Sequence, residues 1–186
     1  MIIENIKQEH ILAGAIVLIT AVIIFLLLRR LFVYNNKRKI RNIIKKISYD
    51  FIEDIEIDEG LEHYAHLDYI CLGQDGIHII AVKNYAGHIF AADDINEWSQ
   101  IVDRKSYKFP NPGFELTHSV ELLKTMTDLD VTGYNIFSDT ADFPKGRPES
   151  VILCADMLEF FGKVSKRNLS DSLLNEWKKL KLHLCT

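Results

Sequence analysis

The chain has 186 residues, 48% of them hydrophobic, and a net charge of −4. Setting aside an apolar N-terminal run and its flank leaves about 140 residues, room for one domain with a real core and too few for two. The charge is divided: residues 1–46 hold 9 Lys and Arg against 2 Asp and Glu, so the rest holds 13 against 24, a balance of −11 that excludes broad salt-driven attraction to nucleic acid. The three cysteines, Cys71, Cys154 and Cys185, are widely spaced and form neither a disulfide framework nor a zinc knuckle, so they are expected as reduced thiols.

Residues 11–28, ILAGAIVLITAVIIFLLL, carry no charge, and Leu31, Phe32 and Val33 extend the run. At ~1.5 Å per residue it spans a ~30 Å hydrocarbon layer, so residues 11–33 are expected as an uncleaved transmembrane helix in contact with the lipid bilayer. The Ala-x-Ala at Ala13 and Ala15 lies at the wrong end for signal cleavage. Only Lys7 precedes the run as a basic side chain, whereas Arg29, Arg30, Lys37, Arg38, Lys39, Arg41, Lys45 and Lys46 follow it. That asymmetry predicts residues 1–10 outside and the remainder in the cytoplasm, as at a bacterial inner membrane. The basic stretch then reads as a topology signal touching anionic lipid.

Ile40, Ile43, Ile44 and Ile47 lie at helical spacing and predict a basic juxtamembrane helix over residues 34–48, with residues 49–186 as the cytoplasmic domain. From Phe51 the period becomes two in FIEDIEI, an acidic edge or half-exposed strand ending at Gly60. LDYICLGQDGIHIIAVK is two β-rich runs around an Asp-Gly turn, a hairpin, and a short strand follows in NYAGHIFAA. Residues 98–108 predict one or two more short strands. Pro110 and Pro112 precede a helix over 113–127 with Leu116, Val120 and Leu123 inside. VTGYNIF and SVILC read as buried strands around a polar connection, followed by a short segment at 157–161. A last helix starts near Ser170 and Asp171, ends in lysines, and buries Leu173, Leu174, Trp177 and Leu180. The pattern is an α/β fold, a mixed β-sheet flanked by helices and preceded by one transmembrane helix.

Parity in the hairpin puts Asp68, Ala81 and Lys83 on one face. An Asp and a Lys on adjacent strands of one face, with an acid two positions before the Lys, is the arrangement of the restriction-endonuclease-like superfamily. There carboxylates hold a divalent metal and the lysine stabilises charge at a phosphate. The stretches HLDYICLGQDGIHIIAVKNYAGHIF and KFPNPGFELTHSVELL, with Trp98 between them, resemble the nuclease-related domain (NERD) family over about residues 40–160. The resemblance implies a metal-dependent nuclease acting on DNA or RNA, with Asp68 as metal-binding aspartate and Lys83 as catalytic lysine.

The chain departs from the family at three positions. Ala81 stands where the family has glutamate, Glu115 where glutamine usually follows Asn-Pro, and the first helix lacks the family's Gly-Glu pair. One aspartate holds a hard cation weakly, so hydrolysis is expected to be slow or lost unless Glu53, Glu62 or Glu115 fills the gap. Glu115 is the economical choice, with Asp68, as second ligand for Mg or Mn.

Blander readings stand beside these. Asp68 and Lys83 alone would pass for a cross-strand ion pair. His63, His66 and Asp68 suit zinc, yet lack a fixed partner and read better as surface or packing histidines. His118 reads as a polar helix-face residue, and Phe109, Phe114, Phe160, Phe161 and Trp177 mostly as core rather than base-stacking platforms. The competing function class is a non-catalytic binding or scaffold module for a protein, nucleotide or nucleic acid at the membrane. Helix pairing in the bilayer has little support, since bulky Leu18 follows Gly14 by four positions.

Overall fold

The computed structural model of the chain describes the backbone of residues 2–60, 63–164 and 169–184, and their side chains except at 2–17, 29, 31–36, 59, 60 and 63. The first element is a single helix, α1 (Ile2–Ile47), with no break between the expected span and the expected juxtamembrane helix. No Gly or Pro follows Gly14 within it to stop it. Among the described residues no helix is long and apolar enough to cross a membrane. The expected span at residues 11–33 lies partly outside them; within it, the side chains of Leu18, Ile19 and Val22 to Leu28 are described and exposed. The chain divides into a unit of residues 1–42 and one of residues 43–186, and all the described strands belong to the second.

Ser48 ends α1, its hydroxyl and amide both donating to the Ile44 carbonyl, and the chain turns into β1 (Asp50–Gly60). β1 pairs antiparallel with β2 (His63–Leu72), which pairs antiparallel with β3 (Ile77–Lys83). The expected Asp-Gly turn joins β2 to β3, and Gly76, at φ +152°, is required there: a Cβ would run into the Asp130 carbonyl. β7 (Val131–Phe137) lies parallel to β3, and β9 (Val151–Leu153) parallel to β7, completing a five-stranded mixed sheet in the order β1-β2-β3-β7-β9.

One sheet was expected, and two form. β4 (Gly87–Phe90), β5 (Glu97–Val102) and β6 (Lys105–Pro110) leave the first sheet after Lys83. They join β8 (Ala141–Asp142) in a four-stranded sheet of order β6-β5-β4-β8. β8 falls inside the segment that the sequence marks as a polar connection. Asp103 and Arg104, both at positive φ, make the tight β5–β6 turn whose twist suits a hairpin.

α2 (Pro112–Lys124) and α4 (Asp171–Leu184) cover one face of the five-stranded sheet. Leu116 and Leu123 of α2 and Trp177 and Leu180 of α4 join Ile70, Leu72, Ile77, Ile79 and Val131 in one core. α2 approaches β7 closely because Gly133 has no side chain; a Cβ there would sit 2.7 Å from Val120 Cγ2 and 2.8 Å from Leu116 Cδ1. A second core forms where the sheets meet, from Ile89, Trp98, Phe109, Phe137 and Val151, with the Tyr85 and Phe109 rings stacked at 4.0 Å. α3 (Met157–Phe161) is a short turn of helix. Phe109 and Trp177 are core residues as expected, but Phe114 and Phe160 are exposed. Cys71 and Cys154 are buried and not joined in a disulfide, and burial pushes the Cys71 thiol well above its ordinary range, which keeps it inert. Cys185 lies outside the described residues.

Candidate functional site

The site begins where the β2–β3 ladder opens. Paired register runs from Leu72 opposite Ile77 to Tyr69 opposite Ile80 and ends there. At the next step Asp68 intervenes, its Oδ2 accepting the Val82 N–H at 2.8 Å, so a side chain replaces a strand partner. Continued by one residue, the register sets Asp68 against Ala81, the smaller of the alternatives that parity allowed. Asp68, Ala81 and Lys83 share a face, and α2 lies over it.

The position of α2 is fixed by Asn111, which is buried. Its Oδ1 accepts the Gly113 N–H at 2.8 Å, and its Nδ2 lies 3.3, 3.2 and 2.9 Å from the carbonyls of Ala92, Asp93 and Ile95. Pro112 follows in the first helical position, where its missing N–H costs nothing. This anchor presents Glu115, in the first turn of α2, to Lys83: Nζ lies 2.8 Å from Oε2. Lys83 is 18% exposed and Glu115 65% exposed, so the ammonium is the more enclosed partner. His66, Asp68, Ala81, Lys83, Glu115, Leu116 and Ser119 line a small pocket of about 90 Å³. The three residues expected from sequence, Asp68, Lys83 and Glu115, thus border one cavity, with Glu115 turned to the lysine.

Sequence reasoning weighed His66 with Asp68 but missed Asp54, which joins them on the other side of Asp68. β1 register counted from either flank, Glu53 with Tyr69 and Ile55 with Leu67, sets Asp54 directly opposite Asp68. Donor atoms of Asp54, His66 and Asp68 all lie within 4.8 Å of one another, with His66 Nε2 4.0 Å from Asp68 Oδ1. Two carboxylates and an imidazole are a donor set that fits a divalent first-row cation. Among the described residues, Glu115 is not part of that group. Glu53 faces Tyr69 on the opposite parity, Glu62 and the side chain of His63 lie outside the described residues, and His118 is exposed and does not line the pocket. No signal in FIEDIEI singled out Asp54, since alternation puts it on the same face as Glu56, and only the register sets it against Asp68.

Asn135 lies on the same sheet face. It pairs with Ala81 across the parallel β3–β7 ladder, is fully buried, and neither amide atom has a hydrogen-bond partner among the described residues. Across the sheet the row therefore reads Asp54, Asp68, Ala81, Asn135. A buried amide left unpaired is costly.

Comparison with known proteins bears on this geometry. The chain is 26% identical over 65 residues to an uncharacterized protein of Bacillus anthracis, covering 35% of this chain and 31% of that one. The chain thus matches about a third of the length of that relative. No solved structure matches it. The sequence model of the nuclease-related domain family matches residues 33–140, which take in β1 to β7, Asp54, Asp68, Lys83, Glu115 and Asn135. More than half of the chain is matched, and it includes the whole pocket at the opened β2–β3 ladder: the chain belongs to the nuclease-related domain family.

Proposed function

We propose that this protein is a metal-dependent nuclease of low activity, hydrolysing phosphodiesters of DNA or RNA at the pocket between the opened strands and α2. The observation that carries the reading is the joint placement of Asp68 and Lys83 on one face beside a single cavity. Asp68 is the metal-binding aspartate by family position, and its second oxygen is steadied by the Val82 N–H. When bound, a Mg or Mn ion supplies Lewis-acid polarisation and charge neutralisation at the phosphate. Lys83, enclosed and cationic, offers its ammonium to the developing charge on a phosphoryl oxygen. Glu115 holds that ammonium in position and must yield it to a phosphate. With Ala81 in place of a carboxylate, turnover is slow. The five-stranded order and the helix crossing from β3 to parallel β7 support a restriction-endonuclease-like fold.

The test is cleavage of labelled DNA and RNA by the full chain with Mg²⁺ or Mn²⁺, compared with Lys83→Ala. Slow, metal-dependent cleavage lost in the variant supports the proposal; equal rates in both would reject it.

A second reading, a non-catalytic binding or scaffold module, is favoured by the Lys83–Glu115 ion pair, which already occupies the lysine. Retention of biological activity in Lys83→Ala would select it.

We infer also that residues 11–33 hold the protein to a bilayer, with residues 1–10 outside and the domain on the cytoplasmic side of a bacterial inner membrane. Support comes from the uncharged run at 11–28 and from the exposure of its described apolar side chains, Leu18 and Phe25 among them. Retention in the membrane pellet after alkaline carbonate washing is expected, and release into the supernatant would refute it.

A further inference from the structure

We propose that the groove between α4 and the start of β1 binds a fatty carboxylate, its acyl chain laid along Leu72 and Trp177 and its carboxylate held by Lys178 and Lys181. This is a second site, independent of the nuclease reading and contained in the unit of residues 43–186. The cavity has a volume of about 840 Å³, against about 90 Å³ for the pocket beside Lys83. Cavities of about 300–1,000 Å³, lined by apolar side chains with a few charged groups among them, are those that take up small molecules.

α4 supplies most of the surface. Leu174, Trp177, Lys178, Lys181 and Leu182 recur at helical spacing and form one stripe along it, next to the core-facing Leu180. Leu72 and Trp177 belong to the main core and also line the cavity, so an acyl chain lying there extends that core outward. Leu182, another lining residue, is 75% exposed.

Charge decides the headgroup. Two lysines stand against one aspartate in the groove, a cationic spot in a domain that is otherwise strongly acidic. Asp50 is already engaged, its Oδ2 accepting from the Trp177 indole and the Lys181 ammonium at 2.9 Å each. Lys178 is exposed and has no carboxylate partner among the described residues. A neutral or cationic amphiphile leaves that ammonium unanswered, whereas a carboxylate with an apolar tail matches both halves of the groove. An acidic peptide helix, about 10 Å across, needs a longer trough, and a cavity of this volume suits a single acyl chain.

The probe is dodecanoate carrying a diazirine near the end of its chain, irradiated with the purified full chain in an amphipathic polymer. Labelled peptides are read by mass spectrometry, which keeps the groove distinct from the apolar run at residues 11–28. Expected is labelling around Leu72 and along α4, suppressed by unlabelled dodecanoate. Dodecanol, with the same chain and no charge, should compete about 10-fold less well. Octanoate should compete about 10-fold less well than decanoate, since each buried CH₂ contributes roughly threefold to fourfold. Lys178→Glu should cut the groove labelling about 5- to 10-fold, and Leu174→Trp, which takes up part of the cavity, by at least as much. Should Leu174→Trp fail to fold, Leu182→Trp, at an exposed position, replaces it. Label confined to residues 11–33, labelling of α4 unchanged in folded Lys178→Glu, or equal competition by dodecanol would each overturn the proposal.

Discussion

Lys83 Nζ and Glu115 Oε2 lie 2.8 Å apart, so the end of β3 is tied to the first turn of α2 by a pair whose lysine is enclosed and whose glutamate faces water. This contact makes Lys83 answer to α2, and it sets up competition between a protein carboxylate and an incoming phosphate.

Removing that competitor should show in binding. Glu115→Gln is expected to tighten binding of a short single-stranded oligonucleotide by about 3- to 10-fold at low salt, a gain that fades as ionic strength rises. Because the pair is largely exposed on one side, the variant should lose at most about 1 kcal/mol of stability. Fluorescence anisotropy over a salt series measures the first, and a denaturant titration the second. Unchanged or weaker binding would show that the ion pair does not restrain Lys83.

Restoring the carboxylate missing from β3 should restore chemistry. Ala81→Glu places an acid between Asp68 and Asn135, on the face that Lys83 shares. Cleavage with Mg²⁺ is expected to rise about 10- to 100-fold over the parent chain. A gel assay with matched protein concentrations decides it, and a folded variant with no gain would remove the lost glutamate as the cause of slow hydrolysis.

Asn111 is expected to be a costly residue to lose. Asn111→Ala removes a helix cap and leaves the carbonyls of Asp93 and Ile95 without its amide donor, while that of Ala92 keeps the Trp98 indole, a loss of about 3 kcal/mol. In a domain of this size that corresponds to a melting point lower by about 6–12 °C. Calorimetry tests this, and a shift below about 2 °C would mean that the network contributes little.

Asp50 should make stability depend on pH. Burial raises its carboxyl, but the Trp177 indole N–H and the Lys181 ammonium, each 2.9 Å from Oδ2, outweigh this and hold it below its ordinary 3.8. A carboxyl depressed by folding contributes stability that is full well above 3.8 and drains away as pH falls through its lower folded value. Since the group is partly exposed, Asp50→Asn should cost only about 1 kcal/mol at pH 7, roughly 2–4 °C. The gap between variant and parent should narrow steadily towards pH 3. A gap independent of pH would locate the effect in packing around Trp177 instead.

The elements themselves were legible in the residues because each carries its own local signal. The period of two in FIEDIEI, the Asp-Gly turn before Ile77, Pro112 at a helix start and lysines at the end of α4 all act within a few residues. Parity alone brought Asp68, Ala81 and Lys83 to one face, and the Asn-Pro stretch foretold the helix that carries Glu115. Local signals cannot choose partners between distant segments. Which strands pair is settled by burial of faces far apart in sequence, so only the tertiary structure separated β4, β5, β6 and β8 into a second sheet around Trp98 and Phe109. The same holds for the site. Sequence identified an altered nuclease-like face, but that Glu115 pairs with Lys83, that Asp54 confronts Asp68, and that Asn135 lies unpaired beside Ala81 follow from β1, β7 and α2 converging on one opened ladder. A register is a relationship between two strands, and neither strand encodes it alone.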